Sequence, residues 1–174
     1  MRINKLLFLG LLMLLGGCQA THSLKAPDAN YSQQLPAINV NVLGLPSWML
    51  RDELRRRGTF DEVRAGRSEE GYNVLVVANS DVGALQPQLF LSAFTLFLVP
   101  VPVSFDSTVV FSLSHGKEIL GVYTVHNHTE SWRGAFNASG GQFEHVRLIT
   151  DTFIAQVLKD QPFHREAMKR AASL

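Results

Sequence analysis

His126, Asn127 and His128 place two imidazoles at i and i+2, and Glu130 continues the same spacing. On a β-strand alternate side chains share a face, so both rings and a carboxylate could meet one metal ion. A structural zinc needs four protein ligands, and a chain with one cysteine has no Cys–His cluster to supply the others. His126 and His128 are therefore a weak metal candidate, and no metal is expected. Ser112, Ser114 and His115 bring hydroxyls near an imidazole, but no Gly-x-Ser-x-Gly elbow surrounds either serine. The carboxylates Asp61, Glu62, Glu69, Glu70 and Asp106 are scattered through expected turns, and Gly140-Gly141 has no lysine after it to make a phosphate loop. No catalytic set emerges, so an enzyme is not expected.

The remaining reactive group is the single thiol, Cys18. Arg2 and Lys5 form a positive n-region, and residues 6–15 form an apolar h-region of signal-peptide length. Leu15-Gly16-Gly17-Cys18 then resembles the bacterial lipobox. That resemblance implies that residues 1–17 are removed and that Cys18 carries covalent lipid, the one non-protein group expected. With Gln19 rather than Asp after the cysteine, it also implies a membrane anchor on the periplasmic face of the outer membrane. Cleavage removes Arg2 and Lys5, so 16 basic and 15 acidic side chains become 14 and 15. A mature chain of net charge near −1 lacks the basic excess that phosphate binding demands, so nucleic acid is not an expected partner.

The elements that position these residues read as follows. Residues 18–35 are polar with Pro27 and serve as a flexible tether. Residues 36–43 alternate as a strand, and Pro46 and Ser47 open a helix bearing Trp48, Met49, Leu50 and Leu54. That helix ends in Arg55, Arg56 and Arg57 before Gly58. Phe60 and Val63 tuck beneath it. Residues 72–78 (YNVLVVA) form a continuous apolar run, as in a central strand buried on both faces. Residues 107–114 and 118–126 form a hairpin about Gly116, residues 131–141 a loop, and residues 143–159 a second amphipathic helix. Pro162 stops that helix, and residues 162–174 are a polar tail. The order predicts an α+β fold: a mostly antiparallel sheet of about four to five strands with two helices packed on one face, forming a single domain over 36–161.

Between Asp81 and Asp106 the chain carries no ionisable side chain, and residues 89–105 are almost wholly apolar. Pro100 and Pro102 leave only about 16 Å of uninterrupted helix, well short of a bilayer core. The segment is either a buried strand or helix followed by an extended Val-Pro-Val-Pro linker, or an exposed contact through Phe90, Phe94 and Phe97. Arg51, Arg55 and Trp132 are further candidate contacts with a membrane or a partner. The expected function is non-catalytic: a lipid-anchored envelope lipoprotein acting through protein or lipid contacts, with an envelope protein as partner. The alternative is a carrier of an apolar ligand in a pocket lined by residues 89–105.

Overall fold

The computed structural model describes residues 20–28, 33–44, 47–83, 94, 100–134, 139 and 141–172. In chain order these form β1 (Thr21–His22), β2 (Ile38–Leu43), α1 (Ser47–Arg57), β3 (Val63–Ala65), β4 (Tyr72–Gly83), β5 (Val101–His115), β6 (Glu118–Arg133), α2 (Gln142–Asp160) and α3 (Pro162–Ala172). The strands make one sheet in the order β1-β6-β5-β4-β2-β3. Pairings β1–β6, β6–β5 and β5–β4 are antiparallel, whereas β4–β2 and β2–β3 are parallel. The α+β class agrees with the sequence, but the sheet is mixed, with six strands, and three helices lie among the described residues. None of these helices is long and apolar enough to cross a membrane.

Period-2 burial fixes which face is covered. Ile38 and Val40 of β2, Val74, Val76 and Ala78 of β4, Val109, Phe111 and Leu113 of β5, and Tyr123 and Val125 of β6 all turn inward. Against them pack Leu50 and Leu54 of α1 and Val146, Ile149, Phe153, Ile154 and Val157 of α2. Phe153 stacks on Phe111 at 4.1 Å between ring centroids and meets Tyr123 edge-on. Each such aromatic contributes about 2–3 kcal/mol by leaving water. Gly44 makes the return from β2 to α1 possible, because at φ 88° a Cβ there would fall 1.9 Å from the Ala78 carbonyl oxygen.

Several assignments of elements are corrected. Pro162 is the first residue of α3, the position its fixed φ and missing N–H suit, so residues 162–172 are a helix and not a polar tail. Phe163 and Glu166 of α3 are buried. The supposed tether also contributes to the sheet: Thr21 and His22 pair with Glu130 and Thr129, and Leu35 is buried beside Phe60. Finally, β4 is covered on one face only, since Leu75 and Val77 are exposed.

The Val-Pro-Val-Pro stretch is not a linker from Val101 onward but the start of β5. Pro102 is tolerated there because β4 ends opposite Ser104, leaving β5 with one described neighbour at that level.

Candidate functional site

The first residue of α2 follows Gly141, whose φ is 83°, and this brings His145 into the sheet layer at the end remote from the β5–β6 turn. His145 is 3% exposed, as is Ser107 of β5, and its Nε2 lies 2.9 Å from Ser107 Oγ. Ser107 Oγ in turn lies 2.9 Å from Ser80 Oγ. On the other side of the ring, Nδ1 lies 2.6 Å from Thr129 Oγ1 and 3.1 Å from Asn127 Nδ2. Thr129 Oγ1 also meets His22 Nδ1 at 2.7 Å. A serine, a histidine and an orienting third group are thus assembled as in a hydrolase, and the direction of the hydrogen bonds decides whether they act like one.

That direction follows from one backbone group. The Leu24 N–H donates to Asn127 Oδ1 at 3.2 Å, which turns the Asn127 amide nitrogen toward His145. An amide nitrogen only donates, so this contact, beside the 3.3 Å bond from Asn127 Nδ2 to the His145 carbonyl, favours the tautomer in which Nδ1 accepts and Nε2 carries the proton. Nε2–H then donates to Ser107 Oγ, leaving the Ser107 proton directed at Ser80. A base for serine must accept the hydroxyl proton at this nitrogen, which in this tautomer already holds one. Burial pushes the His145 pKa down to about 4, with the neighbouring His22 adding to the effect, so the ring is neutral near pH 7. The cluster is a staple joining β1, β4, β5, β6 and α2.

On the opposite, uncovered face of the sheet the register sets out cross-strand rows. His128 stands opposite Asp106, which stands opposite Asp81; His126 stands opposite Thr108. His128 Nδ1 lies 3.1 Å from Asp106 Oδ2, and its Nε2 lies 3.5 Å from Glu130 Oε1. Hydrogen bonds to Asp106 and Glu130 raise the His128 pKa. His126 Nδ1 is 3.8 Å from Asp106 Oδ1. The two rings and Glu130 do share a face, but among the described residues no group of three or more His, Cys, Asp or Glu side chains is placed to hold a metal ion.

Further along the same face the rows become apolar. Leu43, Val77 and Val110 align on three strands, and Leu75 and Val122 flank Ser112 in the next row. Leu43, Leu75, Val77, Val122 and Ile119 are between 40% and 65% exposed. A shallow groove of about 450 Å³ continues the band toward the β5–β6 turn, between Asn41, Leu75, Ser112, Ile119, Arg67 and Lys117. The amides at its floor are already engaged: Asn39 Nδ2 donates to the Tyr72 carbonyl, and Asn73 bonds Ser68 and Gly71. One sheet face therefore grades from imidazole–carboxylate, through aliphatic, to a rim bearing Arg67 and Lys117. The open side of an antiparallel sheet is ordinarily polar, which makes the aliphatic band the unusual part.

The other sequence candidates are dispersed. Arg55 donates to the Val63 carbonyl at 3.0 Å and pairs with Asp52, while Arg57 pairs with Glu53 and with Asp151 of α2, so part of the α1 cation cluster is tied to its own fold. Arg51 is half-buried on the same helix. Ser112 and Ser114 lie on the outer face, whereas His115 reaches Glu166 of α3 at 2.6 Å, so the three do not meet. Trp132, opposite Pro102, is 47% exposed and Phe94 is 89% exposed. Cys18, Phe90 and Phe97 lie outside the described residues, as do residues 1–17 and most of the proposed pocket segment 89–105.

No protein-family model and no curated protein matches the chain. Solved structures resemble it in backbone course at low identity. A minor lipoprotein from Acinetobacter baumannii is 16% identical with a TM-score of 0.42, over 74% of this chain and 92% of that one. Rare lipoprotein B from Shewanella oneidensis is 11% identical with a TM-score of 0.39, over 76% and 98%. Protein XCC0632 from Xanthomonas campestris is 12% identical with a TM-score of 0.43, over 80% and 92%.

Proposed function

We propose that the chain is a lipoprotein anchored through Cys18 to the periplasmic face of the outer membrane, and that it acts without catalysis, by contact with an envelope protein. The observation that carries this reading is the aliphatic band of the uncovered sheet face, centred on Leu75, Val77 and Val122. A band of this kind favours association over solvation. The Leu15-Gly16-Gly17-Cys18 motif supports the anchor, which concentrates the domain at the membrane surface for neighbours held there too. The hydrogen-bond polarity at Ser107 and His145 supports the absence of acyl-transfer chemistry.

Palmitate labelling of cells tests the anchor. Label is expected in the parent chain and absent in Cys18→Ala, and label retained in Cys18→Ala would refute acylation at that residue. A photocrosslinking side chain placed at Val77 or Val122 tests the contact. Adducts to a defined envelope protein are expected from both positions and not from exposed Lys159 of α2; equal yields from all three would overturn the face as the site of action. Val101, Val103 and Phe105, a buried apolar cluster apart from the main core, belong to the segment of the carrier alternative, of which Phe94 is also described and exposed. Lipid co-extracted with the purified domain in molar amounts, without an adduct from Val77, would favour that reading.

A further inference from the structure

The N-terminal residues of the described chain are held against the domain. Ser23 N–H donates to the His128 carbonyl at 2.8 Å, Ser23 Oγ accepts from His128 N–H at 2.7 Å, and His22 and Leu24 bind Thr129 and Asn127. Because β1 runs antiparallel to β6, moving back from Thr21 means moving forward along β6 from Glu130. Ala20 accordingly packs at Gly141 and Ser131: a Cβ added to Gly141 would lie 2.7 Å from Ala20 Cβ and 3.5 Å from Ser131 Oγ. A free tether over residues 18–35 would reach about 60 Å when extended, whereas Cys18 precedes Ala20 by two residues, about 7 Å of chain. A domain anchored at Cys18 therefore has almost no slack.

The same end of the domain carries two large exposed aromatic side chains. Trp132 follows Ser131 on the outer face of β6, and Phe143, 58% exposed, is two residues beyond Gly141 in the first turn of α2. They stand on the sheet side and the helix side of Ala20. The charges carried by the same two elements are of both signs: Glu130 and Arg133 on β6, and a Glu144–Arg147 ion pair on α2. Indole and phenyl rings favour the headgroup boundary of a bilayer, and mixed charge does not repel it.

We propose that this end of the domain seats on the bilayer, with Trp132 and Phe143 entering the headgroup region on either side of the anchored chain. The seat rests on acylation of Cys18. It fixes the orientation of the molecule: the strands of the sheet rise from the membrane, so the aliphatic band stands upright and faces sideways. A partner for that band must be beside the domain at the same membrane.

The chain has two tryptophans, which makes the test direct. Trp48, on α1, lies behind β2 toward the opposite sheet edge and is 52% exposed, so it serves as the control. The acylated protein, purified from membranes, is reconstituted into phosphatidylethanolamine–phosphatidylglycerol vesicles containing headgroup spin-labelled lipid. Trp48→Phe leaves Trp132 as the reporter, and Trp132→Phe leaves Trp48. Quenching of Trp132 about twofold or more above that of Trp48 is expected, as is quenching of Phe143→Trp in a chain lacking both native tryptophans. Vesicles that float with the protein but leave Trp132 no more quenched than Trp48 overturn the seat alone. Protein that fails to float overturns the anchor, and the seat with it.

Discussion

At His145 a single ring records how the fold holds its N-terminal edge. Its pKa of about 4 lies below the ordinary value of 6.5, so the unfolded chain takes up a proton over that interval while the folded one does not. This contribution is complete above about pH 6.5, is lost as pH falls toward about 4, and amounts to at most about 3 kcal/mol. Urea unfolding at a series of pH values is expected to show the decline, and His145→Gln to flatten it. Asn127→Asp is expected to reverse the polarity of the network: a carboxylate at this site draws the ring proton to Nδ1 and raises the His145 pKa by about 1–3 units. Nitrogen chemical shifts of the imidazole report both changes. The sequence signalled the outer-face pair well, because i, i+2 spacing on a strand is local information. It gave no sign of His145, whose partners Thr129 and Ser107 lie 16 and 38 residues earlier on strands whose register only the tertiary fold defines.

Among the elements, α3 depends most on one interaction. The Glu166 carboxyl is buried, where desolvation would raise its pKa, yet hydrogen bonds from His115 and Tyr72 together with Arg170 outweigh burial and hold it below the usual glutamate range. Glu166→Ala leaves His115 and Arg170 without their shared partner and is expected to cost about 3 kcal/mol or more, with α3 amides losing hydrogen-exchange protection first. Lys169→Ala, which removes the exposed pair with Glu118, is expected to change stability by less than about 1 kcal/mol. The composition of α3 hid it: among many cationic residues its apolar contact is mainly Phe163, and Pro162 signals a helix start as well as a stop. By contrast β2, α1, the β5–β6 hairpin and α2 were visible, since alternation, a capped arginine terminus, Gly116 and a 3.6-residue stripe are written in neighbouring residues.

For the whole molecule the informative contrast is between Val76 and Val77. Both belong to the run that the sequence assigns to a strand buried on both faces, but Val76 is fully buried and Val77 belongs to the uncovered band. An apolar run says that a surface avoids water and does not say whether the same chain covers it. Val76→Asp is expected to prevent folding, while Val77→Asp is expected to shift stability by less than about 1 kcal/mol and to abolish the crosslink from Val122. Thermal melting and crosslinking yield separate the two.

The pairing of residues 22–24 with residues 127–129 spans more than a hundred positions of chain. Closing an open loop of that length costs about 4 kcal/mol, about what the hydrogen bonds of this pairing return at about 1 kcal/mol each. β1 is therefore expected to add late, to a β5–β6 hairpin already formed. In order of assembly, the N-terminal strand of the described chain is the last to lock, so the edge of β6 that it covers stays open until the rest of the sheet is in place.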